Sequence, residues 1–110
     1  KGLGYDIQSV WANNPKRGSK PQDAPIYIEV KSTKRTTVPN PEFFDKITLT
    51  RTEWLKADEY KQSYHIYRVY FTKEGVFVHI IMNPLSSDNV FCEPIAYVYE
   101  FKVCSALEEW

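Results

Sequence analysis

The stretch Ile26–Thr33 alternates without a break, and that alternation limits the fold more than any other feature. Ile26, Ile28 and Val30 fall on one side, and Tyr27, Glu29, Lys31 and Thr33 on the other. Such a period of two fits a β-strand with one buried face; a helix would scatter the same residues around its axis. The segment Tyr5–Trp11 repeats the pattern, with Tyr5, Ile7 and Trp11 opposed to Asp6 and Gln8. Each strand backs an apolar face with a polar one, and the polar faces carry carboxylates and a lysine. The linking stretch Asn13–Pro25 holds three prolines and one glycine and reads as a loop.

The remaining chain completes an α+β pattern. Thr50-Arg51-Thr52-Glu53 has the form of a capping box and predicts a helix from Arg51 towards Gln62, with Trp54, Leu55 and Ala57 turned inward. Tyr64–Phe71 and Val76–Ile81, joined by Thr72-Lys73-Glu74-Gly75, form a hairpin apolar on both faces and therefore central. Asn83–Pro94 reads as a loop. Ile95–Val103 is a last strand, with Ile95, Tyr97, Tyr99, Phe101 and Val103 on one face. The expected fold is a mixed or antiparallel sheet of about five strands carrying one main helix.

At 110 residues the chain is one domain's worth, and residues 1–110 are read as a single domain excised from a longer chain. No apolar run is long enough to span a bilayer as a helix, so no membrane role is expected. Fourteen basic and fourteen acidic residues cancel, which excludes a uniformly basic nucleic-acid coat. They are nevertheless segregated. Lys16, Arg17, Lys20, Lys31, Lys34 and Arg35 crowd the early part, whereas Asp88, Glu93, Glu100, Glu108 and Glu109 face Lys102 alone in the tail. Cys92 and Cys104 form no C-x-x-C pair, and their spacing to His65 and His79 matches no structural zinc pattern. A reducing, cytoplasmic compartment is the expectation. The chain has no G-x-x-x-x-G-K-[ST] loop and no G-x-S-x-G elbow, which excludes a P-loop nucleotidase and an α/β-hydrolase nucleophile.

Glu29 and Lys31, two apart on a strand, project into the same space, and Asp6 joins them if the two strands are neighbours. Two carboxylates beside an ammonium suit one hard divalent cation, with the lysine placed to stabilise the charge that develops during phosphoryl displacement. The same residues also fit a solvated strand face with a cross-strand ion pair of modest value. His65 and His79, inside apolar strands, read as sheet histidines. The many aromatics alternate along the strands and read as core.

Gly4-Tyr5-Asp6-Ile7 followed by Tyr27-Ile28-Glu29-Val30-Lys31-Ser32-Thr33 resembles the core motif of the PD-(D/E)XK nuclease superfamily. With Leu49-Thr50-Arg51-Thr52-Glu53-Trp54-Leu55-Lys56-Ala57 and Tyr64-His65-Ile66-Tyr67-Arg68-Val69, it is similar to the NO VEIN C-terminal-like, Mrr-related branch over roughly Gly4 to Pro84. The resemblance implies a restriction-endonuclease-like core, here without its first helix, that hydrolyses DNA phosphodiester bonds with Mg²⁺, for which Mn²⁺ substitutes. It implies Asp6, Glu29 and the Val30 carbonyl as metal ligands, with Asp6, Glu29 and Lys31 catalytic. Lys16, Arg17, Lys20, Lys34 and Arg35 would contact DNA phosphates at the mouth of the site. The implied setting is a restriction or defence protein with helicase or methyltransferase domains, with a homodimer as one way to cut both strands. The alternatives are an inactive module of the same fold that binds DNA or a protein, and a purely structural domain.

Overall fold

A computed structural model describes residues 3–9, 25–86, 92–95, 98–103 and 107–110. The described elements are, in order, β1 (Ile7–Ser9), β2 (Ile26–Lys34), β3 (Phe44–Thr48), α1 (Arg51–Tyr60), a 3-10 turn (Lys61–Ser63), β4 (Tyr64–Thr72), β5 (Gly75–Met82), β6 (Cys92–Ile95), β7 (Val98–Lys102) and β8 (Glu108–Glu109). Five strands form a mixed sheet in the order β1-β2-β4-β5-β8, and three form a second sheet in the order β3-β7-β6. The fold is α+β, as the patterning predicts.

β2 lies antiparallel to β1 and parallel to β4, with Glu29 beside Ile66 and Lys31 beside Arg68. Parallel neighbours need a long crossover, and β3, α1 and the 3-10 turn supply it. β4 sits between β2 and β5 and is apolar on both sides. Tyr64, Ile66 and Tyr70 enter the main core with Ile81, Ala57, Ile47, Leu49, Tyr99, Phe101 and Val103. Tyr67 joins Ile26, Ile28 and Val78 on the other face. The β4–β5 hairpin closes where Thr72 pairs with Gly75, whose φ of 139° favours glycine.

α1 begins with the full capping box. Thr50 Oγ1 accepts from the Glu53 N–H at 3.1 Å, and Glu53 Oε1 accepts from the Thr50 N–H at 2.9 Å. Ala57 is buried against the sheet, with Trp54 and Tyr60 packed beside it at spacings of three. Leu55, expected inside, is 51% exposed. At about 100° per residue it stands roughly 200° round from Ala57, on the opposite side of the helix. The helix is also shorter than expected, since its end tightens into the 3-10 turn before Gln62.

The second sheet is the larger departure from the one-sheet expectation. Part of the segment read as a loop is β6, which pairs with β7, and β7 pairs in turn with β3. Tyr99, Phe101 and Val103 do alternate inward, yet they pack onto the face of the main sheet and do not extend its edge. Alternation specifies a buried side but not the strand that supplies the backbone partner. Tyr97, Trp11 and the loop residues 13–24 lie outside the described residues. No described helix is long and apolar enough to cross a membrane.

Candidate active site

The β1–β2 ladder runs from Ser9↔Ile26 to Ile7↔Ile28, and Asp6 lies just beyond its end. The Asp6 N–H donates to the Ile28 carbonyl at 2.8 Å, while Asp6 Oδ2 accepts from the Val30 N–H at 2.8 Å. A side-chain oxygen thus takes the place of the next main-chain acceptor, where the ladder between β1 and β2 stops. A strand residue's N–H and C=O point the same way, so the Val30 carbonyl faces the same edge as the Asp6 carboxylate.

On the helix side of β2, Glu29 is only 5% exposed and Lys31 is half-buried. Lys31 Nζ lies 3.4 Å from Glu29 Oε2 and 3.0 Å from Glu53 Oε1. Asp6, Glu29 and Lys31, chosen from the sequence, therefore converge with the Val30 main chain at one end of the β1–β2 pair. Glu53 joins them from the first turn of α1. Sequence reasoning assigned Glu53 only to the cap; the signal for a second task was a carboxylate at the N-terminus of a helix that must cross over β2.

The segment carrying Asp6 is pinned. Gly4 has a φ of 78°, and a Cβ there would meet Lys56 Cγ at 2.6 Å and the Thr52 carbonyl oxygen at 2.9 Å. The Tyr64 hydroxyl donates to the Gly4 carbonyl at 2.6 Å. Tyr5 meets Tyr27 edge-on at 4.8 Å, and Tyr27 stacks on Tyr60 at 3.9 Å, which ties both carboxylate-bearing segments to the end of α1. Gly4→Ala is expected to destabilise the protein by about 1–3 kcal/mol in urea unfolding, because it adds both strain at positive φ and a backbone clash.

Electrostatically the site is crowded with acid. Glu29 is pushed up to about 7, first by burial, then by its hydrogen bond to Glu53 and the charges of Glu53 and Asp6, with Lys31 opposing. Glu53 moves the other way. Burial is its largest single influence and raises it, but the Thr50 N–H, Lys31 and Glu29 together hold it below the usual carboxylate range. Of the pair, Glu53 is the one that ionises first and Glu29 the one that keeps its proton to higher pH. Tyr64 is held protonated by burial and by these same carboxylates.

Among the described residues no three His, Cys, Asp or Glu side chains gather to hold a metal ion. The donors on offer are the Asp6 carboxylate, the Glu29 carboxyl once it releases its proton, and the Val30 main-chain carbonyl. That set fits magnesium, which takes one or two carboxylates and keeps several waters.

Beyond the site, Arg68 donates to Asp45 Oδ2 at 2.8 Å and to the Lys31 carbonyl at 3.3 Å, so a partly buried ion pair from β4 to β3 braces the lysine's backbone. A charged residue in an otherwise apolar central strand was its sequence signal. His65 and His79 are buried and held neutral, mainly by that burial, and His79 stacks on Phe101. Lys34 is exposed and, by alternation, falls on the Val30 side of β2 and not the Lys31 side. Arg35 Nε donates to the Thr37 carbonyl at 3.1 Å, and its guanidinium lies 4.3 Å over the Phe43 ring. Lys16, Arg17 and Lys20 lie outside the described residues.

The family model of the NO VEIN protein C-terminal region matches residues 1–81. The chain belongs to the NO VEIN C-terminal family. The matched span covers β1 to β4, α1 and nearly all of β5, and so takes in every residue of the site just described. β6 and β7 of the second sheet fall outside the span. No curated protein and no solved structure matches the chain at a significant level.

Proposed function

We propose that this NO VEIN C-terminal domain is a divalent-cation-dependent nuclease module of PD-(D/E)XK type, acting on DNA within a larger restriction or defence protein. The observation that carries this reading is the convergence of Asp6, Glu29, the Val30 carbonyl and Lys31 at the end of the β1–β2 ladder. A solvated strand face would not bury Glu29 to 5% exposure beside a second carboxylate, because each buried acid costs free energy unless something recovers it.

Asp6, Glu29 and the Val30 carbonyl would hold Mg²⁺, or Mn²⁺ in its place, which supplies Lewis-acid polarisation of a phosphodiester and activation of water. Lys31, fixed beside Glu29, offsets the negative charge that builds on the non-bridging phosphate oxygens as water attacks phosphorus and the ester bond breaks. The first turn of α1 covers the Glu29–Lys31 side and restricts water there, which strengthens both interactions. Arg35, with Lys16, Arg17 and Lys20, would contribute phosphate contacts that position the strand without reading bases, whereas Lys34 lies on the other face of β2. A homodimer would bring two such sites to the two strands, and helicase or methyltransferase domains of the same protein would deliver the substrate. The compartment is cytoplasmic in this reading.

A second reading has its own observation. Lys31 is already neutralised by Glu53 at 3.0 Å, an arrangement that also suits an inactive module that binds DNA or a protein. Plasmid nicking separates the two. The nuclease reading expects conversion of supercoiled plasmid that requires Mg²⁺ or Mn²⁺, stops with chelator, and is lost in Asp6→Ala and in Lys31→Ala. Intact plasmid with a gel shift that weakens steeply as salt rises would overturn it in favour of binding alone.

A further inference from the structure

We propose that Glu53 is a positioning residue of this site: its charge holds the Lys31 ammonium on the helix side and thereby leaves Glu29 for the divalent cation. This rests on the nuclease reading above. A capping box needs only an acceptor at its fourth position, and glutamine serves as well as glutamate. Neither a charge nor burial is required for that task. Yet the Glu53 side chain is only 13% exposed, and its Oε1 meets Lys31 Nζ at 3.0 Å while accepting from the Thr50 N–H at 2.9 Å.

The second donor makes Glu53 rigid. Its carboxylate is anchored to the helix end, so the position of Lys31 is set by the backbone of α1 and not by a freely rotating partner. Glu29 Oε2, at 3.4 Å, is the longer of the two ammonium contacts. Without the Glu53 charge, Lys31 would close on Glu29 and compete with the cation for the same carboxylate.

Glu53→Gln keeps an acceptor for the Thr50 N–H while removing the charge, whereas Thr50→Ala removes the cap hydroxyl and leaves Glu53 facing Lys31. Mg²⁺ titration calorimetry is expected to show an affinity loss of about 10–100-fold in Glu53→Gln. Affinity should recover when Lys31→Met is added to that variant, and Thr50→Ala should lower the melting temperature with affinity unchanged. In metal-free protein, the NMR signal of the Lys31 ammonium should be sharp in wild type and broadened in Glu53→Gln. Unchanged or tighter Mg²⁺ binding by Glu53→Gln overturns the inference, as does an unmoved Lys31 signal. Wild type that binds no Mg²⁺ overturns the nuclease reading itself, and the metal-free spectra then still decide whether Glu53 fixes Lys31.

Discussion

Glu29→Gln is expected to make the metal-free protein more stable and, on the proposed nuclease reading, at the same time to abolish plasmid nicking. Glu29 has its ordinary value of 4.5 when unfolded and about 7 when folded. Between those values the native state holds a proton that the unfolded chain has released, so stability falls as pH rises through that window. Above it the full cost of burying the charge is present. Glutamine presents the neutral shape permanently. Thermal unfolding at pH 8 should therefore place Glu29→Gln above wild type by about 1–3 kcal/mol, allowing for screening by solvent. The gap should close as pH approaches 4.5, where wild type is neutral at this position as well.

In the proposed nuclease the same substitution also removes a metal ligand. Wild type should gain stability from Mg²⁺ by mass action and Glu29→Gln should not, and plasmid nicking should fall by about 10³-fold or more. A buried acid kept against the stability of the fold is the mark of a functional position. A variant less stable than wild type at pH 8 would show that Glu29 is structural and would sink this account.

Asp45→Ala should give the largest loss of stability, about 3–5 kcal/mol in urea with an unchanged m-value. Asp45 on β3 and Arg68 on β4 are only 12% and 13% exposed, and they join the two sheets. The Tyr70 hydroxyl, on a fully buried side chain, also donates to Asp45 at 2.7 Å. Removing the carboxylate leaves a largely buried guanidinium without its counter-charge and a buried hydroxyl without its acceptor, and both penalties act together. Because Arg68 also reaches the Lys31 carbonyl, nicking should suffer beyond what lost folding explains. Arg68→Met in the Asp45→Ala background should recover part of the loss, since a paired charge removed whole costs less than one left alone. A loss below about 1 kcal/mol would show that water reaches the pair.

The parts of this fold governed by local chemistry could be read from the chain. The alternation of Ile26–Thr33 predicts β2 and the shared face of Glu29 and Lys31, and the capping box predicts the start of α1 at Arg51. The β4–β5 hairpin follows from its turn residues. What escaped was set by distant partners. Nothing local to Phe44–Thr48 or Cys92–Ile95 says that β3 and β6 pair with β7 apart from the main sheet. Leu55 was misplaced because an apolar residue says nothing by itself about its angle round a helix whose buried stripe is narrow. Within the site, strand parity brought Glu29 to Lys31, but only the crossover through α1 brings Glu53 to both.

Glu53 serves the fold through Thr50 and, in the proposed nuclease, the chemistry through Lys31, and the two obligations differ in how they constrain change. A descendant that abandoned catalysis would still need an acceptor at position 53 to begin its helix, while position 31 would be released at once. Among relatives that have drifted into other roles, the lysine should vanish first and the glutamate persist, sometimes as glutamine. The history of activity in such a lineage would then be written on the strand and hidden on the helix.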